Sequence, residues 1–236
     1  MNPASGYSPV ILSGAKDLVV CAVRWETFFL GTSLPVVTLG MGAQRSRQNL
    51  EKAILKYSPR RIVLAGFSGA VRQDQRVGDI ALPEIFCAAR DGCELKIPTD
   101  ADLRARMEAI IGDMIPTEML GHDPHLRSQI GSCPAFRLLA QTRQISVAHI
   151  ASPLEKCDIG RRWPDACGVD MESFAVASIC ADRGIALTCV RAVFDEADQR
   201  LSSWNNFWRL PSWYLKAASH LAQAIRCCLT ESVGLA

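Results

Sequence analysis

The sequence predicts an α/β fold, a single three-layer domain whose central mixed, mostly parallel twisted sheet is flanked by helices. Three observations predict it. The chain has 236 residues, 49% of them hydrophobic and 21% charged, enough for one core and without a linker that would divide it in two. Short runs rich in Val, Ile and Leu alternate with segments of helical spacing, the pattern of strands joined by crossover helices. Several strand runs are apolar throughout, as in sheets covered on both faces.

Residues Met1–Lys16, with Pro3, Ser5, Gly6, Ser8, Pro9, Ser13 and Gly14, are expected as a flexible leader, and residues 17–236 as the folded domain. Leu18–Val23, Leu34–Leu39 and Arg61–Ala65 are β-rich runs. Between the last two, Leu50, Ala53, Ile54 and Tyr57 share one side of a helix over Gln44–Tyr57. Asp79–Leu82 and Ile85–Ala88 read as strands separated by Pro83, and Asp100–Met114 as a helix capped by Thr99 or Asp100. No period emerges from Ile115 to Arg143. Gln144–His149 is then a strand, Ser152–Arg162 a helix, and Glu172–Arg183 a helix stopped by Gly184. Ala186–Val193 is a buried strand, and Pro211–Leu229 closes the chain as an amphipathic helix.

Charge and composition exclude whole classes of partner. Lys and Arg number 26 against 24 Asp and Glu, so nothing general draws the chain to nucleic acid or an anionic membrane. No segment approaches the ~20 apolar residues of a transmembrane helix. The 10 cysteines are scattered and form no CxxC pair, which favours free thiols in a reducing cytoplasm over disulfides or zinc. His122 and His125 lack a third ligand and read as surface residues. His149 and His220 read as packed or exposed rather than catalytic. A small molecule bound in a pocket is the expected partner.

Four segments place chemistry-bearing residues at element ends. Leu39-Gly-Met-Gly-Ala43 lies where a strand gives way to a helix, so small residues leave backbone N–H groups open at a positive helix end, although an ordinary tight turn is the more usual reading of this GxG. Leu64-Ala-Gly-Phe-Ser-Gly-Ala-Val71 is a small-residue loop after a strand, the place where open α/β sheets bind ligands, and packing of a sheet edge would also explain it. Gly168-Val-Asp-Met-Glu-Ser-Phe-Ala175 sets two carboxylates around Met171 at the start of an apolar helix, where simple caps are the ordinary reading. In Val190-Arg-Ala-Val-Phe-Asp-Glu-Ala-Asp198 a buried strand ends in Asp195, which suits either a catalytic carboxylate or a solvated loop start.

Taken together and in this order, these segments resemble the purine nucleoside phosphorylase and nucleosidase superfamily. Val20-Cys-Ala-Val-Arg-Trp-Glu26, Ala65-Gly-Phe-Ser-Gly-Ala70 with Val77-Gly-Asp-Ile80, Val169-Asp-Met-Glu-Ser173 and Arg191–Asp198 carry the resemblance with the Gly40–Gly42 loop. It extends to the branch that includes methylthioadenosine/S-adenosylhomocysteine nucleosidases, and more closely to hopanoid-associated phosphorylases, which remove adenine from adenosylhopane. The resemblance implies the nucleoside phosphorylase-like fold and a purine nucleoside substrate. It also implies Asp195 as general acid at N7 of the purine, Glu172 on the ribose hydroxyls, Met171 against the sugar and Glu26 positioning the attacking water. Gly42, Ser68, Gly69, Ile150 and Ala151 are the matching substrate contacts, and Arg191 orients Glu26 or Glu172 or forms a plain structural ion pair. Phe67 departs from the pattern, since nucleosidases have a smaller or polar residue there beside the base.

These residue types suit the chemistry. Breaking an N-glycosidic bond leaves an anionic purine unless a proton arrives, and builds positive charge on the ribose; one carboxylic acid and one carboxylate answer the two needs. No metal or organic cofactor is implied. Water is favoured as nucleophile because Glu26 would repel phosphate, although Arg24, Arg45 and Arg47 leave phosphate open as co-substrate. A sensor that binds a nucleoside without turnover is the reading from another class. A homodimer is expected. Trp204, Phe207, Trp208, Leu210 and Trp213 form an apolar cluster suited to core or dimer packing, or to a lip for an apolar substrate tail.

Overall fold

Side-chain alternation along two buried strands sorts the core onto two faces of one sheet. In a computed structural model, which describes residues 17–30, 35–98, 136–198 and 210–229, Leu18 and Val20 of β1 (Asp17–Cys21) and Ile62 and Leu64 of β3 (Arg61–Gly69) point to one face. There α1 (Ala43–Tyr57) contributes Leu50, Ala53 and Ile54, and α3 (Ser173–Arg183) contributes Val176, Ile179 and Cys180. Val19, Val63 and Ala65 point to the other face, against Ala217, Leu221 and Ile225 of α4 (Leu210–Leu229). The predicted three layers follow from this two-residue period.

The other strands are β2 (Val36–Thr38), β4 (Ile80–Ala81), β5 (Ile85–Ala88), β6 (Glu94–Lys96), β7 (Arg143–Ser146), β8 (Ala166–Asp170) and β9 (Ala186–Asp195). Along one path the sheet order is β2-β1-β3-β8-β7-β5-β6, with β9 against β3 and β4 against β9. Pairing is parallel except at β3–β8, β4–β9 and β5–β6. The remaining helix, α2 (Pro153–Arg162), starts with Ser152 and Glu155 capping each other reciprocally.

One irregularity of β3 makes room for a site. Its partner β9 covers one edge from Arg61 to Gly69. The opposite edge is shared: β1 pairs only as far as Val20 with Leu64, and β8 touches only at Gly69 with Val169. Between them β1 and β8 part, leaving Gly66 and Phe67 facing a gap at the carboxyl end of β1.

The sequence reading differs from this fold in definite places. The stretch read as a loop after Ala65 continues as strand to Gly69, because its small residues hold register with β9. Strands β6 and β8 were not predicted; β8 separates Asp170, a strand end, from Glu172, the residue before α3. Trp213 packs against the core beneath α4, whereas Trp204, Phe207 and Trp208 lie outside the described residues, as do the leader and the helix expected over Asp100–Met114. No described helix is long and apolar enough to cross a membrane. Cys21, Cys87, Cys167, Cys180 and Cys189 are free and buried, and Cys93 and Cys157 are free and exposed.

Candidate active site

A cavity of about 220 Å³ opens where β1 and β8 part, and three carboxylates face it: Glu26, Glu172 and Asp195. Each arrives from a different element.

Glu26 sits in the 3₁₀ turn Arg24–Thr27 that follows β1. Its Oε1 accepts the Phe67 amide at 3.0 Å and its Oε2 accepts the Val23 amide at 3.0 Å. The first of these bonds satisfies the β3 edge that no strand covers. Burial pushes the Glu26 carboxyl up to about 7, against the pull of Arg191 and the two amides.

Glu172 precedes α3. Its Oε1 accepts the Gly42 amide at 2.6 Å, at the entrance to α1. The Gly42 N–H expected to meet substrate is thus taken by Glu172, and Gly42 acts on the site by holding that carboxylate. Burial and the neighbouring Asp170 raise the Glu172 carboxyl, while Arg191 and the amides of Gly42 and Met171 lower it.

Asp195 ends β9 at an irregularity in register, where Val193 pairs with Ser68 but Asp195 pairs with Gly69, leaving Phe194 as the extra residue. Such a bulge re-aims side chains. A Cβ at Gly69 would lie 3.0 Å from Asp195 Oδ1 and 3.1 Å from Lys156 Cε, so the glycine gives the acid its space. Burial raises the Asp195 carboxyl and Lys156 opposes it.

Behind the carboxylates lies a buried hub. Asp170 Oδ2 accepts from Arg191 Nη2 at 2.8 Å and from the Ser173 hydroxyl. Asp170 Oδ1 accepts from the Ser146 hydroxyl at 2.8 Å and from the amides of Glu172 and Ser173. Arg191 also donates to Ser173 Oγ at 2.7 Å. A Cβ at Gly66 would stand 2.1 Å from Arg191 Nη1, so only glycine lets the guanidinium lie against β3. Arg191 is therefore a buried partner of Asp170 whose field reaches Glu26 and Glu172, and it does not line the cavity as a substrate contact would.

Met171, Ser68, Gly69, Ile150 and Ala151 all line the cavity. The Ser68 hydroxyl is buried with no hydrogen-bond partner among the described residues. Phe67 stacks on Phe194 at 5.0 Å between centroids, and Trp25 meets both rings edge-on at 5.4 and 5.8 Å. At the rim Met41 is 56% and Ile150 62% exposed. His149, also at the rim, pairs with Glu155 at 2.7 Å, and His220 lies buried against the Gly78 carbonyl. Sequence reasoning missed Lys156, the Asp170 hub and the Trp25–Phe67–Phe194 wall. Among the described residues, no group of three His, Cys, Asp or Glu is placed to hold a metal ion.

The sequence profile of the phosphorylase superfamily matches residues 24–229. The chain belongs to that superfamily. Solved structures share this superfamily fold at low identity. Helicobacter pylori 5′-methylthioadenosine/S-adenosylhomocysteine nucleosidase superposes with a TM-score of 0.68 at 15% identity, over 92% of this chain and 98% of that one. Streptococcus pyogenes S-adenosylhomocysteine nucleosidase gives 0.69 at 14%, over 95% and 100%. Helicobacter pylori futalosine hydrolase gives 0.67 at 14%, over 92% and 98%. No curated protein sequence matches the chain significantly.

Proposed function

We propose that this phosphorylase-superfamily chain is a purine nucleosidase that cleaves the N-glycosidic bond of an adenine nucleoside bearing an apolar 5′ extension, of which adenosylhopane is the leading candidate. The observation that carries the reading is the convergence of Glu26, Glu172 and Asp195 on one cavity with unlike surroundings. Pairs of titratable groups set apart by environment divide acid and base roles. Asp195, buried and raised, protonates the departing base. Glu26, poised near neutrality, takes a proton from the attacking water. Glu172 accepts from the ribose hydroxyls and opposes the positive charge growing on the sugar.

Water is the nucleophile in this reading. Glu26 and Glu172 present negative charge to the cavity, which repels a phosphate dianion, and the buried Arg191 is already engaged by Asp170. The superfamily neighbours named as nucleosidases and as a hydrolase agree with it.

The 5′ assignment rests on the aromatic wall and the apolar rim. The cavity's 220 Å³ falls below the roughly 300–1,000 Å³ of usual ligand pockets, so a long apolar tail would leave it across Trp25, Met41 and Ile150. Adenine release from adenosylhopane, methylthioadenosine, S-adenosylhomocysteine and adenosine, each with and without phosphate, tests the whole reading. The expected result is phosphate-independent release, fastest from the apolar substrate. Release only with phosphate would make the chain a phosphorylase, and tight binding without release would make it a sensor.

A further inference from the structure

Lys156 is a lysine where lysines are rarely found. It and Asp195 are each only 2% exposed, and it occupies the first turn of α2, where the helix dipole favours anions over cations. Burial and dipole both oppose its charge, and buried ion pairs seldom repay their desolvation in stability. Its ammonium donates to Asp195 Oδ2 and to the Glu196 carbonyl at 3.2 Å, and the side chain lines the cavity.

Resting on the nucleosidase reading above, we propose that Lys156 is the positioning residue of the leaving-group acid, holding Asp195 Oδ2 so that Oδ1 meets the base and stabilising the carboxylate that forms as the proton leaves. The step balances. The C–N bond breaks with its electron pair passing to the base, Asp195 Oδ1–H gives its proton to the base nitrogen, and water adds to C1′ while its proton goes to Glu26. Asp195 ends as a carboxylate facing an ammonium, a charge pair made fully only as the bond breaks. Solvent then reprotonates Asp195 as Glu26 loses its proton. Among the described residues, the groups facing Asp195 include Lys156 from α2, Ser68 and Gly69 from β3, the Glu196 carbonyl, and across the cavity Glu26 and Glu172; His149 and Glu155 pair with each other at the rim.

The test compares parent, Lys156→Gln and Lys156→Arg on a purine nucleoside and on p-nitrophenyl riboside, whose leaving group needs no proton. In Lys156→Gln the alkaline limb of kcat/KM should move up by about one pH unit or more, and kcat on the purine should fall about 10- to 100-fold, with p-nitrophenyl riboside little affected. An unmoved limb, or equal loss on both substrates, overturns the proposal. Should Lys156→Gln not fold, Lys156→Arg decides: loss confined to the purine with the limb in place supports it, and equal loss on both substrates overturns it. Carboxyl carbon NMR of Asp195 reads the same contact without turnover, with a lower titration in parent than in Lys156→Gln expected and equal titrations contradicting it. A parent enzyme that releases no base would instead sink the nucleosidase reading.

Discussion

Arg191 Nη2 donates to Asp170 Oδ2 at 2.8 Å, with both side chains sealed from solvent. The pair joins β9 to the end of β8 and so fixes the start of α3, where Glu172 stands. In Asp170→Asn, an amide N–H would face the guanidinium and the Ser173 hydroxyl, donor against donor. A buried charge stripped of its partner costs about 3–5 kcal/mol. Denaturant unfolding of Asp170→Asn should show a loss of that size, and a change under about 1 kcal/mol would mean that the hub relaxes around other carboxylates.

Asp195→Asn keeps the shape of the proposed acid and removes its proton. Turnover of a purine nucleoside should fall about 10²–10⁴-fold with little change in binding, as read by single-turnover kinetics. The variant should also lose stability, because Lys156 then has an amide where it had a carboxylate. Near-parental turnover would remove Asp195 from the mechanism.

Glu26 ties activity and stability to the same proton. Its carboxyl titrates near 7 when folded against an ordinary 4.5, so between those values the native state holds a proton that the unfolded chain has lost. That contribution is fully present below about pH 4.5 and is gone above about pH 7; it amounts to something on the order of 3 kcal/mol. Parental stability should therefore fall across this window while kcat/KM rises through its upper end. Glu26→Gln should flatten the stability slope and lower kcat/KM throughout. It also leaves one of two buried amides facing an NH2 group, a pH-independent cost of about 1–3 kcal/mol. Parallel stability curves for parent and variant would contradict the assignment.

Trp25 tests the aromatic wall, being 44% exposed and in edge contact with Phe67 and Phe194. Trp25→Ala should lower kcat/KM for adenosylhopane about 10-fold more than for adenosine, the equivalent of about 1.4 kcal/mol of lost apolar contact. An equal loss on both substrates would make Trp25 a support for Glu26 and Phe67 rather than a tail contact.

Legibility in the sequence followed the range of the signal. Strands such as Leu18–Cys21 and helices such as Gln44–Tyr57 carry their periods locally, and the layers follow from them. Glu26 was visible only through family resemblance, because Arg-Trp-Glu-Thr has no local pattern that marks a site. Lys156 was not legible at all: a lysine one turn into an amphipathic helix reads as solvent-facing until its tertiary partner is known. Asp170 was folded into a helix start with Glu172 because Ala166–Asp170 is short and interrupted by Gly168. Arg191 was legible as a charge in a buried strand, but its partner depended on where β8 ends.

The parting of β1 and β8 along one edge of β3 also governs how the molecule gains its competence during folding. The bond from Gly42 to Glu172 spans 130 residues and that from Phe67 to Glu26 spans 41. Contacts of such separation form late, after the loop entropy between them has been lost. Helices can regain their ellipticity while these carboxylates are still dispersed. A fragment or intermediate lacking any one of β1, β8 or β9 therefore lacks one of the three carboxylates that meet in the cavity.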